Sequence, residues 1–211
     1  MTDASERGSL TRRRLLDSAR ELFTERGYHE TPIEQVFEAA GVSRGALYHH
    51  FENKQDLFAA VLEEVEAEVA EAVRRAAAGA GTVADALRAG CLMYLDLAFD
   101  PVVRQISLID APSALGWERW RAVEARHGYG LLAAAIQHEA DEGRLNPELV
   151  EYRARSLLAT LIELGLMISR SEDPARARAL AGRALEDLLD QLSARTTPER
   201  KGGPHHQGTK S

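Results

Sequence analysis

Cysteine and long apolar runs are almost absent from this 211-residue sequence. Its single cysteine, Cys91, excludes an internal disulfide and fits a reducing compartment. No apolar run approaches the roughly 20 residues that a membrane-spanning helix needs. The polar N-terminus also lacks the apolar core of a secretion signal. We therefore expect a globular, cytoplasmic protein that does not enter a membrane.

Motifs of the common catalytic and metal sites are absent as well. There is no Gly-rich phosphate loop, no Gly-x-Ser-x-Gly elbow and no His-Glu-x-x-His, and the seven histidines show no metal-ligand spacing. His205 and His206 near the end are no exception. We predict no catalytic residue, no metal and no cofactor, although an all-α domain could hold a catalytic site that sequence order does not reveal.

Positive charge is in deficit: 26 Lys plus Arg stand against 33 Asp plus Glu, for a formal charge of −7. This balance argues against a protein that coats nucleic acid indiscriminately, whereas a sequence-specific binder needs only a local positive face. Even residues 1 to 62 hold ten acids and eight bases. We expect the cations of this segment on one side, with the acids facing away: Arg12, Arg13, Arg14, Arg44 and Lys54.

Apolar residues recur at helical spacing, without strand-like alternation, so we predict an all-α protein. The first helix ends at Gly27, the second starts at a capping box over residues 31 to 34, the third starts at Arg44, and a long fourth follows Asn53. The break Gly79-Ala-Gly81 marks a domain boundary. Beyond it, breakers that include Asp110-Ala-Pro112 separate helices over 83–98, 101–110, 117–141, 147–170 and 174–194. Residues 1 to 9 and 196 to 211 are expected to be disordered.

Residues 41 to 54 carry the most specific pattern in the sequence. Ser43 is a good N-cap, and Gly41 before it can take the left-handed conformation that closes a helix. Gly45 in the first turn suggests that the backbone must approach something large. Leu47 and Phe51, four residues apart, can point back to a core.

The other face of this helix is small at its start and rich in hydrogen-bond donors at its end. Small residues let a helix N-terminus enter a major groove, and hydroxyl, imidazole and ammonium donors suit phosphate oxygens at its rim. With the helix before it, the segment predicts a helix-turn-helix that reads DNA. For each residue taken alone, a solvated surface helix is the alternative.

This segment also resembles a known family. Residues 11 to 62 are similar to the N-terminal domain of the TetR family of bacterial transcriptional regulators, with residues 39 to 51 and Lys54 in the family's order. Pro32 and Glu52 depart from it. The resemblance implies a DNA-binding domain over residues 10–69, with its helix-turn-helix motif at 32–51, and a ligand-binding and dimerisation domain over 82–195. It also implies a repressor that a small molecule releases from an inverted-repeat operator.

Two sets of candidate site residues follow. The DNA-binding set is Arg12, Thr31, Ser43, Arg44, Gly45, Ala46, Leu47, Tyr48, His49 and Lys54. The ligand-binding set comes from the segment where aromatic and sulfur residues gather, together with one acid further on: Cys91, Tyr94, Phe99, Trp117, Trp120 and Glu163. Glu163 or His127 could hold the polar end of a small apolar or aromatic ligand. Each aromatic residue is otherwise a core residue, and each polar one exposed or paired.

The last two long helices carry more apolar residues than one buried stripe needs. A symmetric dimer would cover the excess, with Gly165 and Ala184 allowing close approach, whereas a larger intramolecular core is the alternative. The rival to a regulator is a helical ligand-binding or enzymatic protein whose first domain no longer binds DNA, which the acidic balance of that domain favours.

Overall fold

The computed structural model describes residues 2 to 193, and all regular structure in this range is helical, which confirms the all-α prediction. The expected disordered tail, residues 196 to 211, lies outside the described residues. The helices are α1 (Thr2–Arg26), α2 (Ile33–Ala39), α3 (Arg44–His50), α4 (Lys54–Ala77), α5 (Val83–Leu97), α6 (Ala111–Leu115), α7 (Trp117–Glu124), α8 (Gly130–Asp141), α9 (Val150–Ser169) and α10 (Pro174–Ser193). Two π-helical segments, Val103–Asp110 and Ala125–Tyr129, lead into α6 and α8, and a 3-10 turn, Pro147–Leu149, precedes α9. Within residues 2 to 193 no helix is long and apolar enough to cross a membrane.

Two helix ends differ from the prediction. Residues 2 to 9 belong to α1 rather than to a disordered segment. They contain no proline, and a helix already nucleated by the buried face of α1 extends at little cost. The helix predicted to end at 110 continues through Pro112 to Leu115, because proline is tolerated in the first turn of α6. The break falls at Gly116, another of the predicted breakers, whose φ is +76°.

The first three helices and the start of α4 enclose one core, in which Leu15, Phe23, Leu47 and Phe58 are fully buried. This core does not stop at the expected domain boundary. It continues into residues 103 to 123, including Ile106, at the start of the second half of the chain. The long helix α4 contributes to both halves, so the two domains share a packed surface rather than a flexible link.

Polar contacts tie the same surfaces together. The buried carboxylate of Asp110, in the first π-helical segment, accepts the backbone N–H of Tyr28 at 2.7 Å. The Gln55 amide donates to the Ala114 carbonyl at 2.6 Å. The loop between α1 and α2 and the start of α4 are therefore held by the segment that runs from the first π-helix into α6.

Much of the apolar excess on α9 and α10 belongs to a second intramolecular core. Its buried members on these two helices include Leu157, Leu158, Leu161, Ile168, Leu185 and Leu189. Gly165 also faces inward, because a Cβ there would lie 3.4 Å from the Leu108 side chain, so it does not serve a dimer contact as expected. Among the described side chains of this region, five large apolar residues nevertheless remain exposed: Leu149, Tyr152, Met167, Leu180 and Leu188.

Candidate DNA-reading surface and ligand cavity

The start of α3 is held by the predicted cap and turn. The Ser43 hydroxyl oxygen accepts the backbone N–H of Ala46 at 3.2 Å. Gly41 closes α2 with a φ of +65°, and Val42 N–H donates to the Phe37 carbonyl at 3.0 Å, which is the Schellman pattern of a helix end. These bonds set the direction in which α3 leaves α2.

The outward face of α3 is open. Its exposed residues are Ser43, Arg44, Gly45, Tyr48 and His49, with Ala46 partly exposed. A Cβ added at Gly45 would have a single neighbour within 4 Å, the Ser43 hydroxyl oxygen at 3.9 Å. Packing within the described chain therefore gives no reason for a glycine here.

Two exposed arginines border this face. The Arg44 guanidinium lies over the Tyr48 ring, 5.6 Å from its centroid. Arg12, on α1, lies over the Phe51 ring at 5.5 Å, at the other end of α3. Arg12 and His49 together help to lower the pKa of His50, after the larger effect of burial. Arg12 and the two histidines thus lie together where α1 meets the end of α3.

Lys54 is more sheltered than the two arginines. Its ammonium lies 4.2 Å from the centroid of the Tyr28 ring, and burial lowers its pKa against the opposing charges of Asp110 and Glu30. Its side chain remains partly exposed at the start of α4.

Arg13 departs from the expected positive side. Its guanidinium pairs with Asp17 at 2.9 Å and lies 3.7 Å from Glu64 on α4. Helical spacing explains the difference, because Arg13 is rotated about 100° around α1 from Arg12.

The structure corrects two residues of the DNA-binding set. Thr31 is fully buried, and its hydroxyl donates to the Gly27 carbonyl at 2.8 Å, so it caps the end of α1 instead of facing a phosphate. Pro32 is the N-cap of α2, without a side-chain cap, so the predicted capping box does not form. Leu47 is fully buried as well. Its side chain belongs to the core, as its spacing from Phe51 predicts, and does not reach the outward face.

A cavity of about 50 Å³ lies in the second half of the chain, between α4, α5, α7, α8, α9 and the two π-helical segments. Three of the ligand candidates, Cys91, Tyr94 and Trp120, line it. Burial raises the pKa of the Cys91 thiol to about 12 and raises that of Tyr94 as well, where the charges of Glu66 and Glu124 add to the effect. Both groups are therefore neutral at physiological pH.

The other ligand candidates lie outside this cavity. Phe99 is 47% exposed, Trp117 is 65% exposed, and Glu163 is exposed on α9. His127 is paired with Glu63, its Nε2 lying 2.6 Å from a carboxylate oxygen. Trp117 and Glu163 lie on the outward sides of their helices, and Phe99 lies in the turn after α5, which spacing along the sequence cannot reveal.

Sequence reasoning missed the polar lining. Glu66, Ser107 and Glu124 are buried and face the cavity from three different elements. The Ser107 hydroxyl donates to the Glu66 carboxyl. Burial raises the pKa of Glu66 more than this bond lowers it. Burial also raises the pKa of Glu124, against a hydrogen bond from Arg121 at 3.0 Å.

Two family models match the chain. Residues 15–61 match "Bacterial regulatory proteins, tetR family", and residues 84–192 match "Tetracyclin repressor-like, C-terminal domain". This chain belongs to the TetR family. The two matches fall on either side of the Gly79-Ala-Gly81 break.

TetR-family relatives match in both sequence and structure. The repressor AcnR of Corynebacterium glutamicum is 40% identical over 70 residues, which are 33% of this chain and 37% of AcnR. The regulator AcrR of Shigella flexneri is 43% identical over 61 residues, which are 29% of this chain and 28% of AcrR. The chain thus spans about a third of the length of these curated relatives. A TetR-family regulator from Pectobacterium atrosepticum is 30% identical with a TM-score of 0.75, and the match covers 90% of this chain and 97% of that one.

A signal for one missed residue was present in the sequence of this TetR-family protein. Glu66 falls on the buried face of α4, beside Val65 and within one turn of Leu62 and Val69. An acid on an otherwise apolar helix face needs a partner or a function. No comparable signal marks Ser107 or Glu124, because only the fold brings them to Glu66.

Proposed function

We propose that this protein is a sequence-specific DNA-binding transcriptional regulator, a repressor that reads its operator with α3. The observation that carries this is the open N-terminal face of α3, where Gly45 has room for a Cβ that the sequence does not use. A backbone stripped of side chains at a helix N-terminus can approach base edges in a major groove. Membership of a family of regulatory proteins supports the same function.

Within this proposal the contacts divide into two groups. Ser43, Arg44, Gly45 and Ala46 meet base edges, since they form the cap and first turn of α3. Arg12, Tyr48, His49 and Lys54, together with Arg44, hold phosphates around the groove. Such a regulator acts in the cytoplasm, where bacterial DNA lies.

The proposed regulator is a homodimer formed through α9 and α10. Exposed apolar residues lie in this region, among them Met167, Leu180 and Leu188. Their contact with water is unfavourable, and a second copy of the chain would cover them. A two-fold axis between the copies pairs the two reading helices with half-sites related by an inverted repeat, about 34 Å apart.

Release by a small molecule follows from the connection between the cavity and the reading domain. Ser107, which lines the cavity, and Asp110, which holds the backbone of Tyr28, lie three residues apart on one π-helical segment. Ligand that displaces this segment moves the anchor of the α1–α2 loop. A shift of a few Å in the position of one reading helix is enough to lose the contacts with the second half-site.

Selection from a randomised duplex DNA pool, at two salt concentrations, tests the proposal. We expect an enriched inverted repeat whose affinity falls steeply with salt. Absence of any enrichment at low salt, with and without added small molecules, would favour the rival function of a helical protein that no longer binds DNA.

Single substitutions then separate the two groups of contacts. Lys54→Ala should weaken binding to all sequences and reduce the salt slope by about 1 per monomer. Arg44→Ala removes a base contact as well as a phosphate contact, so it should also change which sequence is preferred. Arg75→Ala is the matched control, because Arg75 is exposed on the same helix as Lys54 but about 30 Å along it. Equal losses on all sequences from the first two variants would contradict the assigned roles.

A further inference from the structure

The cavity combines an apolar wall with two buried acids. Most of its lining residues are aliphatic or aromatic, while Glu66 and Glu124 reach it from α4 and α7 and are only 9% and 7% exposed. The cavity is about 50 Å³, which is smaller than most small-molecule sites, so a ligand enters it only by displacing the helices that line it. The few polar groups of the wall then decide which ligand is held.

The two acids differ in their partners. Glu124 is paired with Arg121, whose guanidinium lies 4.7 Å from the centroid of the Trp117 ring and 5.9 Å from that of the Trp120 ring. Glu66 has the Ser107 hydroxyl as a hydrogen-bond donor, and among residues 2 to 193 no cationic side chain forms an ion pair with it. His127, which helps to lower the pKa of Glu66, is itself hydrogen-bonded to Glu63.

An uncompensated carboxylate in an apolar cavity is costly, so Glu66 is either protonated or met by a positive charge from outside. A glutamine or methionine would fill the same space without this cost. We therefore take Glu66 as a partner for a positive charge that the ligand supplies. Tyr94 and Trp120 line the same cavity, and an aromatic face attracts a cationic nitrogen, as the Arg121 guanidinium 5.9 Å from the centroid of the Trp120 ring already shows.

We propose that the cavity binds an apolar or aromatic molecule with one positively charged nitrogen, which sits against Glu66 with Glu124 as the second acid. This names the chemical class of the effector, and in that sense it rests on the proposed function. Binding itself is measured without DNA, so the two proposals can fail separately.

Fluorescence provides a direct measure of occupancy. The chain has two tryptophans, and Trp117→Phe leaves Trp120, in the cavity wall, as the only one. The probes are benzyltrimethylammonium, its neutral isostere neopentylbenzene and the anion phenylacetate. We expect saturable quenching by the cation, weaker binding of the isostere and no binding of the anion.

Variants of the acids locate the charge. Glu66→Gln should bind the cation about tenfold to a hundredfold more weakly, and Glu124→Gln should weaken it less, because Glu124 already has Arg121 as a partner. Glu118→Gln is the matched control, since Glu118 is exposed on the same helix as Glu124. Affinity of the permanently charged probe should rise with pH in the parent protein, because a protonated carboxyl offers no charge, and this rise should be flatter in Glu66→Gln.

Several outcomes would overturn the inference. They are equal or tighter binding of neopentylbenzene, preference for phenylacetate, no saturable quenching by the cation, or a Glu66→Gln variant with full affinity for the cation. The last would mean that Glu66 serves only its hydrogen bond to Ser107.

If Glu66→Gln fails to fold by circular dichroism, Ser107→Ala replaces it. Loss of the Ser107 donor raises the pKa of Glu66, so cation binding should shift to higher pH. An unshifted profile would count against the site. Operator binding without added ligand is measured separately. If the proposed function is correct, it stays intact whether or not the cavity binds the cation.

Discussion

Gly45→Ala separates the demands of folding from those of DNA binding. The glycine lies in the first turn of α3 in an ordinary helical conformation, and its backbone is not in the left-handed region. An added Cβ would meet the Ser43 oxygen at 3.9 Å, which is normal van der Waals contact. The free protein therefore has room for alanine.

Gly45→Ala should stabilise the free protein but weaken its binding to DNA. Alanine in place of a helical glycine stabilises a protein by about 0.5 to 1 kcal/mol, which for a chain of this size raises the Tm by about 1 to 4 °C. On DNA the same methyl group separates the helix from the base edges. A loss of about 1 kcal/mol at each head amounts to about 2 kcal/mol per dimer, or roughly thirtyfold in Kd.

The assay pairs thermal unfolding with operator binding on the selected DNA. Gly130→Ala is the matched control, because Gly130 starts α8 with a φ of −59° and a Cβ there would have no neighbour within 4 Å among the described residues. It should give a similar rise in Tm and leave operator affinity unchanged. Full operator affinity in a stabilised Gly45→Ala protein would refute the role of the α3 N-terminus, and a fall in Tm would refute the account of its packing.

The remaining predictions concern buried contacts and the dimer surface. Thr31→Ala should lower the free energy of unfolding by about 1 to 3 kcal/mol in urea titrations, because its hydroxyl bond to Gly27 is buried, and should leave the salt slope of DNA binding unchanged; a reduced slope would restore Thr31 to the phosphate contacts. Asp110→Ala should speed hydrogen exchange at the Tyr28 amide, whose N–H loses its acceptor, and unchanged protection would show that this contact does not anchor the loop. Leu188→Glu should convert a dimer to a monomer in sedimentation while the helical content is kept, and a persistent dimer would place the interface elsewhere.

The reading helix could be predicted in detail because its determinants are local. Ser43 caps the N–H of a residue three positions on, and Gly41 alone can take the positive φ that closes α2. Leu47 and Phe51 share a face because a helix repeats every 3.6 residues. Such relations are complete within about ten residues of chain, so they hold whatever the rest of the fold does.

The capping box at Thr31 shows where local reasoning ends. Its residue types suit a cap, yet the hydroxyl turns back to the Gly27 carbonyl, because burial against α1 makes an unpaired polar group there costly. Tertiary packing decides between two hydrogen bonds that the sequence allows equally.

The residues that line the cavity could be identified less well from the sequence than those of the reading helix, because their positions depend on tertiary structure. Helical periodicity predicts that a residue lies on an apolar stripe, but it does not say which neighbour that stripe meets or how far the helix is rotated. Trp117 and Trp120 are three apart, yet one is exposed and the other lines the cavity. Glu66, Ser107 and Glu124 come from positions 41 and 17 residues apart, and only the packing of α4, α7 and the π-helical segment brings them together. The sequence by itself determined a helical protein with a DNA-reading motif, because those features follow from short-range spacing and capping. The fold decided the chemistry of the cavity, because that chemistry depends on how each helix is rotated about its axis when the helices pack into one core.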